Sequence, residues 1–159
     1  MVAVDTNILV YAESLGEVQK QDTARRVLRR VRRADLVMPA QVLAELFRVL
    51  RAKAKLPAAE SRERLAIWEG FALVAPTATT TIESALDLAS EHDFQIFDAI
   101  ILAASAEAGC RMLLSEDMQD GFVWRGVTIV NPFAATPTRY LSISFADEPA
   151  PLRAGSLLS

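Results

Sequence analysis

Asp5, Glu45, Asp98 and Asp117 are the side chains whose type and placement point to chemistry. Asp5 follows the apolar run Val2-Ala3-Val4 and precedes Thr6-Asn7, and Ser115-Glu116-Asp117 follows Met112-Leu113-Leu114 in the same manner. Taken singly, each reads as a turn or a helix cap, since Asp, Thr and Asn satisfy the free N–H groups that open a helix. In a parallel sheet, however, the carboxyl ends of the strands share one edge, and ligands bind there near the point where strand order reverses. Two strand-end aspartates can therefore converge. Asp98 opens the run from Ile96 to Ala106, which is apolar nearly all the way round and so expected to be buried. A carboxylate on such a helix is costly unless it is paired or bound to a metal, or is stabilised by first-turn placement at the positive helix end. Glu45 lies at the edge of an apolar helical stripe, where an acid is ordinarily solvated. Brought together, these carboxylates would repel and raise one another's pKa, and a hard divalent cation with oxygen ligands, Mg²⁺ or Mn²⁺, resolves that conflict. Such a cation activates water and steadies charge on a phosphoryl transition state.

Other chemistries find little support. There is no Gly-rich phosphate loop, no Cys/His zinc spacing and no nucleophile elbow, so the hydrolytic nucleophile is expected to be water. The single cysteine, Cys110, sits in an apolar context, and the single histidine, His92, which would have to serve as its base, reads as a helix-end residue. A phospho-acceptor receiver domain would want a later strand ending in lysine, and no lysine follows Lys55. Six arginines between Arg25 and Arg33 read as a solvated helix face, because no aromatic residues interleave for base stacking. Arg48, Arg51, Lys53 and Lys55 flank Glu45 and are better candidates for holding a polyanion. Trp68 and Trp124 are expected to pack.

The elements that must position these acids alternate along the chain. Strands are predicted at Val2–Val4, Leu36–Met38, Ala72–Val74, Met112–Leu114 and Val127–Val130. Helical periodicity covers Gln21 to Arg33, Gln41 to Lys53, Ala58 to Phe71, Thr81 to His92 and Phe94 to Ala108, with Pro39, Pro57, Pro76 and Gly109 as punctuation. The alternation predicts an α/β sandwich on a mostly parallel sheet. After Asn131-Pro132-Phe133 the pattern dissolves, so residues 1–133 read as one domain and residues 134–159 as a tail with one candidate edge strand, Tyr140 to Phe145.

A chain of 159 residues, 52% hydrophobic and 23% charged, is expected to fold as one compact domain with one active site. Its net charge of −3 is unevenly spread: residues 1–64 carry 13 Lys/Arg against 8 Asp/Glu, whereas residues 65–159 carry 4 against 12. A basic part beside an acidic part suits an enzyme that holds a polyanion on one surface and metal ions on another. The first residues lack the basic start of a signal peptide, and the longest apolar stretch falls far short of a bilayer span. With a lone cysteine, a cytoplasmic protein that does not engage membranes is the expectation.

In its motifs the chain resembles the PIN-domain family, and within it the VapC-type toxins of toxin–antitoxin pairs. The resemblance is carried by Val4-Asp5-Thr6-Asn7-Ile8-Leu9-Val10-Tyr11-Ala12, by Pro39 to Leu50 with Glu45 before Leu46-Phe47, by His92 to Ala104 with Phe97-Asp98-Ala99, and by Leu113 to Gly121 followed by Val130-Asn131-Pro132-Phe133. It spans residues 2–133 in order. It implies a three-layer α/β sandwich with a central, mostly parallel sheet of about five strands flanked by helices. It further implies a Mg²⁺- or Mn²⁺-dependent endoribonuclease with catalytic Asp5, Glu45, Asp98 and Asp117, the metal held by Asp5, Asp98 and Asp117. Thr6 and Ser115 would support the site, and Asp120 would be a spare acid able to replace Asp117. Arg48, Arg51 and Lys53 become candidate RNA contacts. A VapB-type antitoxin and a homodimer are the implied partners, and a non-catalytic PIN-like module that binds RNA or protein is the competing expectation.

Overall fold

The computed structural model describes residues 1–134, which form six helices and a six-stranded sheet. In chain order the elements are β1 (Val2–Val4), α1 (Thr6–Ala12), α2 (Val18–Arg30), a single 3₁₀ turn (Arg33–Asp35), β2 (Leu36–Pro39), α3 (Ala40–Ala52) and α4 (Ala58–Phe71). There follow β3 (Leu73–Ala75), α5 (Thr79–His92), α6 (Ile96–Glu107), β4 (Met112–Leu114), β5 (Val123–Trp124) and β6 (Val127–Val130). Tyr140 to Phe145, the candidate edge strand, lies outside the described residues.

Strand order is β3-β2-β1-β4-β6-β5, parallel throughout except for β5. From β1 the chain builds outward through β2 and β3, then returns to place β4 on the other side of β1. The reversal point of the fold therefore lies between β1 and β4, and the carboxyl ends of these strands are where ligands bind in open sheets of this kind. The inner strands are short and apolar because both faces are covered: Ala3, Val4, Val37, Met38, Leu113, Leu114 and Ile129 are fully buried.

Helix α6 packs against β2 and β6 and pairs with α5, while α3 lies on β2 and α6, and α1 packs on α2 and α3. Burial of α6 from Ala99 to Ser105 follows from its all-round apolar sequence. Ser105, the polar interruption, turns its hydroxyl to the Ile101 carbonyl at 2.7 Å, so this buried polar group is paired within its own helix.

Two elements depart from expectation. The second helix starts earlier and ends at Arg30 rather than Arg33, because Val31 adopts an extended conformation and Arg33–Asp35 forms its own turn. The sixth strand, β5, is an antiparallel edge joined to β6 through Arg125-Gly126, both at positive φ, as a two-residue hairpin turn requires. With only two residues, it carries no readable alternation.

Candidate active site

The β1–β4 register pairs Val4 with Leu114, which sets the next residues of the two strands, Asp5 and Ser115, side by side. The ladder continues one step further, Asp5 N–H donating to the Leu114 carbonyl at 2.9 Å and Ser115 N–H to that of Val130 at 3.1 Å. At this edge Asp5 is only 4% exposed. Its Oδ1 caps α1 by accepting from Thr6 N–H at 2.6 Å, and its Oδ2 accepts from the Ser115 hydroxyl at 2.6 Å and from Asn7 Nδ2 at 3.0 Å. Asp5 is thus a helix cap and a site acid at once, because β1 ends where α1 begins.

Glu45 enters from the second turn of α3. Thr6 donates its hydroxyl to Glu45 Oε2 at 2.9 Å, and Gln41, one turn earlier on the same helix, donates to Oε1 at 3.0 Å. Asp117 is exposed on the loop after β4 and accepts from the same Asn7 amide at 3.2 Å, so Asn7 bridges Asp5 and Asp117. Asp98 stands in the first turn of α6 and is half-buried, less enclosed than its apolar neighbours led us to expect. No hydrogen-bond donor or basic side chain among the described residues pairs with it.

The four carboxylates sense one another. Burial pushes Asp5 up from 3.8 to about 6 against the opposing hydrogen bonds from Ser115 and Thr6, with Asp98 and Glu45 adding to the rise. Asp98 is raised by burial first, then by Glu45 and Asp117. None of the four takes part in an ion pair among the described residues. A cluster of hard oxygen donors with no counter-charge is the donor chemistry that suits Mg²⁺ or Mn²⁺. Among the described residues no three Asp, Glu, His or Cys side chains share a ligating position.

The other expected residues sort clearly. Asp120 accepts from Asn131 N–H at 2.8 Å, a contact that fastens the loop after β4 to the end of β6. Arg48 is exposed, one turn beyond Glu45. Arg51 donates to the Leu56 carbonyl at 2.6 Å and so braces the α3–α4 turn, while Lys53 ends α3. At about 1.5 Å per residue these two lie roughly 9 and 12 Å further along the helix than Glu45. Cys110 is buried, its thiol pushed up to about 11, and so is not a nucleophile at neutral pH. His92 ends α5 and packs edge-on against Phe122. Trp68 packs near Phe71 and bonds Glu13, and Trp124 carries Arg125 over its ring. Of the arginines from Arg25 to Arg33, Arg25 bonds the end of α1, Arg32 pairs with Asp35 and Arg33 lies 3.8 Å over the Phe71 ring. Asn7 and Gln41 were not singled out for the site; their positions beside Asp5 and one helical turn before Glu45 were the available signal.

The PIN domain family matches residues 2–119, a stretch that contains all four acids. No curated protein sequence matches the chain. Among solved structures the fold resembles a chain of a toxin–antitoxin complex from Klebsiella pneumoniae, with a TM-score of 0.64 at 20% identity over 84% of this chain and 98% of that one. It also resembles VapC20 of Mycobacterium tuberculosis, a sarcin–ricin loop cleaving toxin, with a TM-score of 0.60 at 17% identity, covering 71% and 87%. FitAcB from Neisseria gonorrhoeae gives 0.58 at 17%, covering 83% and 98%. The β1–β4 edge, its four acids and a match across most of the described residues lead to one assignment: this chain belongs to the PIN domain family.

Proposed function

We propose that the protein is a metal-dependent endoribonuclease, the toxin of a type II toxin–antitoxin pair. The observation that carries this reading is the set of four carboxylates with no ion-pair partner among the described residues, gathered around the reversal point of the sheet, two of them with raised pKa. Asp5, Asp98 and Asp117 would hold Mg²⁺ or Mn²⁺, with Glu45 completing the set. When bound, the cation lowers the pKa of water and offsets charge at the phosphodiester. The chain's own residues do the rest. Ser115 and Asn7 orient Asp5, Thr6 and Gln41 orient Glu45, and Arg48 on the neighbouring turn offers a phosphate contact. Asp117 is the better fourth acid, because it acts on Asp98 and shares Asn7 with Asp5, whereas Asp120 is engaged with Asn131.

Similar solved structures include toxin–antitoxin complexes, which supports an antitoxin of the VapB type as partner. A homodimer belongs to the same reading. No helix among the described residues is long and apolar enough to cross a membrane.

The test is cleavage of a mixed RNA pool by purified protein in Mn²⁺ or Mg²⁺, beside EDTA and Asp98→Asn prepared identically. Cutting that needs metal and disappears in the variant supports the nuclease; equal cutting by both proteins marks a contaminant. The competing reading, a non-catalytic module that holds RNA or protein, draws on the separation of the acids among the described residues. It predicts RNA retention with neither cutting nor Mn²⁺ binding.

A further inference from the structure

Glu116 lies between Ser115 and Asp117, both of which face the acid cluster, yet its own carboxylate turns the other way. Oε2 accepts from the Tyr11 hydroxyl at 2.6 Å, and Oε1 pairs with Lys20 Nζ at 2.5 Å. Its backbone is held as well: N–H donates to Asn7 Oδ1 at 3.3 Å, and its carbonyl accepts from Asn131 Nδ2 at 3.4 Å. One acid is therefore gripped at four polar points by α1, α2 and the residue after β6. The grip is built in part by Gly16. At φ +77° a side chain there would be strained, and an added Cβ would stand 2.8 Å from the Tyr11 ring. The loop can thus pass close over Tyr11 and start α2 with Lys20 5.5 Å above the same ring. Phe133 closes the other approach, edge-on to Tyr11 at 5.1 Å.

The geometry points to Tyr11 and Lys20 as positioning residues: acting through Glu116, they hold the Ser115–Asp117 loop in register with Asp5 and keep Glu116 itself out of the metal set. A partly exposed ion pair of this kind contributes little to global stability, with Lys20 and Glu116 side chains 25% and 20% exposed. Its effect is expected on the placement of Asp117 and on the Ser115 hydroxyl that orients Asp5. Partners one step removed from a metal commonly change its affinity by about 10- to 100-fold.

The inference rests on the metal-nuclease reading, and two readouts keep their failures apart. Lys20→Met, Tyr11→Phe and the conservative Lys20→Arg are made in the full chain, and each is checked for an unchanged thermal melt. Amide hydrogen exchange at Glu116 and Met118, whose N–H groups bond Asn7 and Ser115, reads the loop without any metal. Mn²⁺ titration reads the site. Faster exchange and about 10-fold weaker Mn²⁺ binding in Lys20→Met and Tyr11→Phe, both restored in Lys20→Arg, are the expected result. Unchanged exchange overturns the proposal, as does faster exchange with unchanged Mn²⁺ affinity. If wild-type protein binds no Mn²⁺ and cuts no RNA, the nuclease reading falls, and the exchange rates alone then decide whether Lys20 and Tyr11 hold the loop.

Discussion

Asp5 illustrates how a buried acid at the candidate site opposes folding. A carboxyl raised from 3.8 in the unfolded chain to about 6 in the fold binds its proton more tightly when folded. Stability from this group is therefore full below about pH 4 and declines as pH rises through 6, a change worth roughly 3 kcal/mol if the whole rise is expressed. Metal-free protein should then lose stability between pH 4 and pH 6.5 at this site, and Mn²⁺ should restore it near neutrality by neutralising the cluster. Urea unfolding at pH 5 and pH 7.5, with EDTA or with Mn²⁺, measures both effects. Metal-independent stability at pH 7.5 would refute the second. Asp98→Asn separates function from stability. Removing a half-buried charge beside Glu45 and Asp117 should leave the metal-free melt unchanged or raise it by about 1–3 °C. RNA cleavage in the same variant should fall by at least about 100-fold. Solvent screening and the favourable field at the start of α6 keep the gain small.

At the scale of elements, α6 is the part on which the site leans most, since it carries Asp98 at its start and buries seven consecutive residues after it. Leu102→Ala, at a fully buried position, should lower the unfolding free energy by roughly 2–5 kcal/mol, with cleavage per folded molecule retained. A denaturant series read beside an activity assay normalised to folded protein tests this. The helix was plain in the sequence because it is apolar nearly all the way round, and β1 and β4 were plain because a strand covered on both faces is an apolar run. Strand β5 was hidden because two residues cannot show a period, and the end of α2 because Val31 continues the apolar stripe while its backbone leaves the helix. At the site, Asp5, Glu45, Asp98 and Asp117 were legible from strand ends, the helix pattern and the family resemblance. The Asn7 bridge to Asp117 and the grip on Glu116 were not, because they depend on hydrogen bonds between segments more than 100 residues apart, while Gln41 was marked only by its place one turn before Glu45.

Across the whole molecule the basic residues gather in the first 64 positions while the acids are spread evenly, and the cluster draws from both parts. If α3 presents RNA to the carboxylates, Arg48→Ala should weaken RNA binding and reduce the slope of log affinity against log salt by about 0.7, one single-strand phosphate contact. Arg51→Ala should instead act on stability, because its guanidinium braces the α3–α4 turn. Fluorescence anisotropy across a salt series, with a melt for each variant, distinguishes the two. Equal slopes for wild type and Arg48→Ala would remove Arg48 from the RNA path.

The pairing of β1 with β4 also bears on how the protein is made. Asp5 leaves the ribosome well before its neighbour Ser115 and the loop bearing Asp117, which come some 110 positions later. At about 5–20 residues per second, roughly 5–20 seconds of translation separate the two halves of the cluster. Until Met112–Leu114 has emerged, β1 lacks its neighbour on one side and the acids cannot assemble. The acids of this edge can therefore come together only after β4 has followed β1 out of the ribosome, so the β1–β4 pairing sets the earliest moment at which the candidate site is complete.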